Sequence, residues 1–165
     1  MSRVEVRAAL PQELDAAGAA VRKAYEDAQF VPEYYLDSLA DARDRARDSE
    51  IAVAVLDGRV VGSVTFALPG SRWAELTDTP GEAEFRMLGV LPRAQGLGAG
   101  RALVRWCIDR ARHYGCQRLL LSSQPRMAAA HHLYKDLGFA RCPDLDFTPL
   151  PGIRLHAFVL ELDEG

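Results

Sequence analysis

An α/β domain with a mixed sheet covered by helices is the fold class that this sequence predicts, and three observations carry the prediction. Two β-branched runs, Ile51–Leu56 and Val60–Phe66, flank Asp57-Gly58, a dipeptide that favours a tight type I′ turn and hence an antiparallel hairpin. A further strand, Ala83–Val90, runs into a glycine-studded turn and then into a segment whose apolar residues repeat at helical spacing. Strand and helix periods then alternate to the end of the chain, the pattern of a sheet layered with helices. A chain of 165 residues has the length of one domain, spanning 1–165, and contains no repeat or low-complexity stretch.

The elements follow in order. Val4, Val6 and Ala8 alternate with Glu5 and Arg7 as in a half-buried strand. Pro11 opens a helix on which Leu14, Ala17, Val21 and Tyr25 share a face, and Pro32 separates it from a second helix. There Tyr35, Leu36, Leu39 and Ala42 form the apolar stripe, and Asp41 and Arg45 stand at the i,i+4 spacing of an ion pair. The hairpin comes next, and then a loop from Leu68 to Gly81 punctuated by Pro69, Gly70, Pro80 and Gly81, long enough to carry function. After the strand Ala83–Val90, the residues Leu103, Val104, Cys107, Ile108 and Ala111 line one face of a helix that begins near Gly98 and ends at Gly115. Leu119–Ser122 is a short buried strand. Pro125 precedes a helix bearing Tyr134, which Gly138 caps, and Ile153–Leu162 is the last strand after a proline-rich connection.

The segment Leu88–Arg101 carries the clearest chemistry. Gly96, Gly98 and Gly100 remove the Cβ atoms that keep a ligand from the backbone, so that successive N–H groups can converge on one anion. The helix that follows leaves its first N–H groups unpaired and places roughly half a positive charge at its N-terminus. Pyrophosphate suits such a turn. The plain alternative is a glycine-rich turn with no ligand. A dinucleotide fingerprint needs glycine at Arg101 or Leu103, and a P-loop needs a lysine that is absent from this stretch.

What fits is Q-x-x-G-x-G, with Gln95, Gly98 and Gly100 at the fixed positions and Val90 and Pro92 just upstream. This resembles the acyl-CoA pyrophosphate loop of the GNAT family of N-acetyltransferases, whose usual form is Q/R-x-x-G-x-G/A. A second block, Ala130 to Phe139, is similar to that family's A-x-x-L-Y-x-x-x-G-F segment. The resemblance covers nearly the whole chain. It implies a mixed, mostly antiparallel central sheet flanked by helices on both faces, and transfer of an acetyl group from acetyl-CoA to a primary amine by direct attack. The implied CoA contacts are Leu88, Gly89, Val90, Gln95, Gly96, Leu97, Gly98, Ala99, Gly100 and Arg101. Backbone groups of Leu88-Gly89-Val90 take the pantetheine arm as an added strand, and an N–H near Leu88 or Val90 stabilises an oxyanion. Gly89 marks that close approach or a plain β-bulge.

Tyr134 is the implied general acid for the departing thiolate, against the alternative of a core tyrosine whose hydroxyl caps a carbonyl. Glu84, four residues before Leu88, is the candidate base, acting directly or through a water, with Glu82 behind it. Glu84 and Arg86 also share a strand face and are placed to pair with each other. Met127 stands where the family often has asparagine, which leaves Ser123 or Gln124 to supply that hydrogen bond.

Composition bounds the partners. Apolar content of 48% and charged content of 26% are ordinary for a soluble protein, and the first residues lack the apolar core of a secretory signal, so a cytoplasmic address is expected. A net charge of −3 argues against nucleic acid or an anionic membrane as partner, and against a tRNA-acetylating reading of the same fold. Cys107, Cys116 and Cys142 match no metal or redox spacing, so reduced thiols and no metal are expected. The acceptor is a small-molecule amine or a protein or peptide amine; a homodimer is compatible with the sequence. Glu75, Asp78, Glu82, Asp144 and Asp146 ring the acceptor pocket or are ordinary solvated carboxylates; Tyr25, Tyr34 and Tyr35 line it or pack the first two helices. The rival reading is a non-catalytic module that holds acyl-CoA as a regulatory ligand.

Overall fold

A computed structural model describes residues 3–28, 31–77, 79–125 and 127–162. The elements are β1 (Glu5–Ala8), α1 (Leu14–Ala28), α2 (Glu33–Ala40), α3 (Ala42–Arg45), β2 (Glu50–Leu56), β3 (Arg59–Ala67) and β4 (Glu82–Val90), followed by α4 (Ala99–His113), β5 (Arg118–Ser123), α5 (Ala128–Asp136), β6 (Ala140–Arg141), β7 (Phe147–Leu150) and β8 (Ile153–Glu161). The sheet order is β1-β2-β3-β4-β5-β8-β6, with β7 paired to β8 outside that path. Every pair is antiparallel except β4 with β5. No helix among the described residues is long and apolar enough to cross a membrane.

Strand period two sorts the core into two faces. Ala52, Ala54 and Leu56 of β2 pack with Leu103, Val104 and Cys107 of α4 and with Tyr134 of α5, whereas Ile51, Val53 and Val55 pack with Ala17 of α1 and Ala42 of α3. Helices therefore cover both faces of the mixed sheet, as expected. The hairpin turn has positive φ at both centres, 52° at Asp57 and 77° at Gly58, which is what a type I′ turn demands.

Two expectations are corrected. The second helix stops at Ala40, because Asp41 leaves helical geometry (φ −92°, ψ 67°) and its carboxylate caps the N–H of Asp44 at 3.1 Å. Asp41 and Arg45 consequently do not share a helix face; Arg45 turns inward and bonds the Ser38 carbonyl at 2.6 Å and the Thr65 hydroxyl at 3.1 Å. The second correction concerns the bulge in β4. Ser63 pairs with Gly89 and Thr65 with Arg86, so Val64 alone opposes Met87 and Leu88. The bulge sits at Met87, whose φ is +56°, and not at Gly89. Gly89 has another reason to be glycine: a Cβ there would lie 3.0 Å from the Val21 Cα and 3.1 Å from the Ala24 Cβ of α1. The connection after Gly138 also carries β6 and β7, which apolar periodicity did not reveal because each is so short.

β4 and β5 pair only over Glu82–Phe85 and Arg118–Leu121. Beyond the bulge, β4 continues against β3 while β5 continues against β8, and the two parallel strands part. That gap positions the site.

The crossing of α1 and α2 closes one side of the gap and depends on Gly18, where a Cβ would lie 1.9 Å from the Ala40 carbonyl oxygen. Helix propensity favours alanine over glycine by about 1 kcal/mol, whereas forcing a methyl into packed backbone costs about 1–3 kcal/mol or more. Gly18→Ala is therefore expected to lower unfolding stability in urea by about 1–2 kcal/mol, and a rise in stability would contradict this packing of the two helices.

Candidate active site

Where β4 and β5 separate, a cavity of about 310 Å³ opens. Its walls come from α1, α2, β4, β5, α5 and the β7–β8 hairpin, and they include Tyr25, Glu75, Arg86, Leu88, Ser123 and Tyr134. Of the sequence-derived candidates, Leu88 and Tyr134 lie on the wall; Gly89, Val90 and residues 95–101 do not, and neither does Glu84.

The glycine turn lies just past the end of β4, beyond the wall residue Leu88. It is held from both sides. The Gln95 amide donates to the Val90 carbonyl at 3.3 Å, and the Arg101 guanidinium meets Asp136 of α5 at 3.3 Å. A Cβ at Gly100 would touch Leu133 of α5 at 3.7 Å, so the turn abuts the helix that carries Tyr134. Gly96 and Gly98 have φ of 82° and 85°, and Gly98 is the N-cap of α4 with no side chain to satisfy its donors. The first backbone bond into α4 comes from Ala102 to the Gly98 carbonyl, and the N–H groups of residues 96–101 have no backbone acceptor among the described residues. Residues 95–98 are exposed. A row of free donors at a helix N-terminus, with no Cβ in front of it at the glycines, fits a pyrophosphate.

Tyr134 is 3% exposed, and its ring packs against Phe85, Phe139 and Phe158 with centroids 5.7–6.0 Å away. Its hydroxyl has no hydrogen-bond partner among the described residues, so the carbonyl-capping alternative is not what the structure contains. Burial pushes the phenol pKa upward. The hydroxyl therefore keeps its proton across the neutral range, as a proton donor must.

Glu84 does not pair with Arg86. It is wholly buried, its Oε1 accepts from the Leu76 N–H at 2.7 Å, and its Oε2 is buried with no partner among the described residues. Desolvation pushes its pKa up to about 7, against a lesser opposing pull from the Leu76 N–H. Arg86 instead meets Glu75 at 3.1 Å and donates to the Trp73 carbonyl at 3.3 Å. Glu82 is tied to the Thr77 hydroxyl and to Arg118. Of the acidic residues that the sequence offered for a ring, Glu75 is on the wall, Asp144 is exposed, Asp146 is held by Arg141 at 2.7 Å, and Asp78 lies outside the described residues.

Arg45 and the histidine partner of Ser123 escaped the sequence. Arg45 is fully buried behind the α2 side, with its Nη2 unpartnered and its pKa lowered to about 10 by desolvation, which still leaves it cationic. Ser123 on the cavity wall lies 3.2 Å from the His131 Nε2, and its hydroxyl is 3.6 Å from the Met127 sulfur. Burial lowers the His131 pKa, so the ring is neutral near pH 7 and can accept the Ser123 proton. A polar pair thus occupies the position beside Met127. No spacing rule joins a strand-end serine to a histidine on the next helix.

Comparison with known proteins bears on the family and the fold. The model of the acetyltransferase (GNAT) family matches residues 18–139. A mycothiol acetyltransferase of Cellulomonas flavigena is 37% identical over 118 residues, 65% of this chain and 33% of that protein. Human N-acetylaspartate synthetase is 33% identical over 124 residues, 68% of this chain and 38% of the synthetase. The chain therefore spans about one third of the length of the curated relatives it matches. Among solved structures, an acetyltransferase of the GNAT family from Staphylococcus aureus superposes with a TM-score of 0.76 at 10% identity, covering 97% of this chain and 99% of the other, a likeness of fold.

The buried carboxyl at Glu84 makes a testable demand on stability. Its folded pKa of about 7 lies above its ordinary value of 4.5, so its contribution is fully present below about pH 4.5 and is lost as pH rises through 7. Glu84→Gln abolishes this titration. The stability of the variant relative to wild type is expected to rise between pH 4 and pH 8 by on the order of 2–3 kcal/mol, read from urea melts at each pH. A pH-independent difference would show that the Glu84 pKa is not raised in the folded protein.

Proposed function

Because this chain belongs to the acetyltransferase (GNAT) family, we propose that it is an N-acetyltransferase moving the acetyl group of acetyl-CoA to a primary amine held in the cleft between β4 and β5. The observation that carries the reading is the row of free N–H groups at residues 96–101, abutting the helix whose Tyr134 walls the cavity. Acetyl-CoA, when bound, supplies the activated thioester. The N–H groups of residues 96–101, set by Gln95 and Arg101, hold its pyrophosphate, and Leu88, Gly89 and Val90 offer backbone to the pantetheine arm.

Tyr134 is the general acid. Its hydroxyl gives its proton to the sulfur as the C–S bond breaks and the new N–C bond forms. Glu84 takes the proton that the amine gives up, and it does so through a water, since its side chain does not reach the wall. A pKa of about 7 suits that task at neutral pH. Ser123, oriented by His131, supplies the hydrogen bond toward the thioester end that Met127 cannot. The relatives named for mycothiol and N-acetylaspartate support a small-molecule amine as acceptor.

Turnover of acetyl-CoA with Tyr134→Phe tests the reading. The change keeps the ring and its contacts, so melting temperature and KM for acetyl-CoA are expected to hold while kcat falls by roughly 10²–10³. The defect is expected to shrink as pH rises toward about 8.5, where a thiol leaves more readily as thiolate. A variant retaining more than about a third of wild-type kcat would contradict the acid assignment. Tight CoA binding with no acetylation of any amine would instead identify a non-catalytic acyl-CoA module.

A further inference from the structure

Resting on the acetyltransferase reading, we infer that the acceptor is an apolar α-amino acid, whose carboxylate is held by Arg86 while its side chain lies against the tyrosine-lined wall of the cavity. Among the described residues, Glu75 and Arg86 are the only charged side chains on that wall; the remainder is largely aromatic and aliphatic. They stand together as one pair at 3.1 Å, so the cavity presents a carboxylate and a guanidinium side by side, the complement of an ammonium and a carboxylate on adjacent atoms.

Arg86 keeps donor capacity for an anion there. Arg86 is 10% exposed at its side chain, donates to the Trp73 carbonyl, forms an ion pair with Glu75 and interacts with the Tyr35 hydroxyl. Its guanidinium has five N–H donors, so capacity remains. Its cross-strand partner Thr65 carries the buried Arg45 on its hydroxyl, and the Arg45 Nη2 has no partner. Facing these two cations stand Glu75, the buried Glu84 and Asp41 at the junction of α2 and α3. The unused guanidinium donors of Arg86 suit a carboxylate on the acceptor, whereas a polyamine presents no acceptor atom to them.

Apolar bulk follows from the rest of the wall. Met87, Leu150, Ile153 and Leu155 line the acceptor side and offer a second carboxylate or a sugar nothing to bond. This separates the expected acceptor from the aspartate derivative for which one relative is named. The ammonium end lies at Glu75, the side chain on the wall that can draw a proton from it toward Glu84. No bond changes beyond the acetyl transfer already written.

Acetylation measured by mass spectrometry tests the inference with leucine, methionine and phenylalanine, their decarboxylated amines, spermidine and aspartate as acceptors. At least one apolar amino acid is expected to exceed its own decarboxylated amine in kcat/KM by roughly tenfold to hundredfold, through KM, and to exceed spermidine and aspartate as well. In Arg86→Gln that ratio is expected to fall toward one, and in Arg86→Lys to an intermediate value. The wild-type ratio decides the matter even if a variant fails to fold. Decarboxylated amines, spermidine or aspartate turning over as fast as the apolar amino acids would overturn the inference, as would a ratio that Arg86→Gln leaves intact. Calorimetry with acetyl-CoA alone separates the two levels: binding without acetylation of any apolar amino acid removes this acceptor class, and absence of binding removes the acetyltransferase reading itself.

Discussion

The parting of β4 from β5 is the constraint on which the rest of the structure depends. A parallel pair normally continues until one strand ends, yet here hydrogen bonding ceases after Phe85 and Leu121 although both strands run on. The cause is local. Met87 takes a left-handed conformation that a residue with a Cβ adopts at a cost of order 1–3 kcal/mol, and the resulting bulge turns β4 toward β3 and away from β5. The surroundings offset that cost: Met87 is buried with Val21, Leu36 and Leu39, and Gly89 lets α1 approach the strand at van der Waals distance. The cleft, the backbone left free along β4 and the turn that follows all descend from this single irregularity.

Charge is distributed around the cleft in a way that burial explains. On the α5 side the wall is aromatic, and Tyr134 holds its proton because burial disfavours the phenolate. On the α1 and α2 side, four ionisable groups, Arg45, Glu75, Glu84 and Arg86, crowd against the sheet with fewer partners than they can use. An orphaned guanidinium nitrogen and an orphaned carboxylate oxygen, both buried, cost stability that a purely structural core would avoid by substituting apolar residues. Such groups suit a polar guest on that side, while the N–H groups of residues 96–101, which have no backbone acceptor among the described residues, suit an anion.

Much of this was legible in the sequence wherever local chemistry dictates geometry. Asp57-Gly58 specifies the hairpin because both centres need positive φ, and Gly96 and Gly98 shape the turn after β4 for the same reason. Tyr134 was found through its helix and the glycine that ends it. The rest depends on long-range packing. Nothing near Met87 announces a left-handed residue, and Gly89 invites a bulge that is really two positions earlier. Asp41 has ordinary helix spacing, but its side chain caps a new turn and so redirects Arg45 inward. Arg86 has two carboxylates within reach, and the fold of the loop after β3, invisible to periodicity, gives it Glu75 and leaves Glu84 to the Leu76 N–H.

Amide resonances of the isotopically labelled protein, followed during titration with CoA and with pantetheine, test the central claim most directly. With CoA, the largest shifts are expected at the N–H groups of Gly96, Gly98 and Gly100 and their neighbours in residues 96–101, and pantetheine, which lacks the pyrophosphate, is expected to shift residues near Leu88 while leaving those glycines in place. Equal shifts with both ligands, or CoA binding that leaves residues 96–101 unmoved, would contradict the claim that this turn is the pyrophosphate cradle.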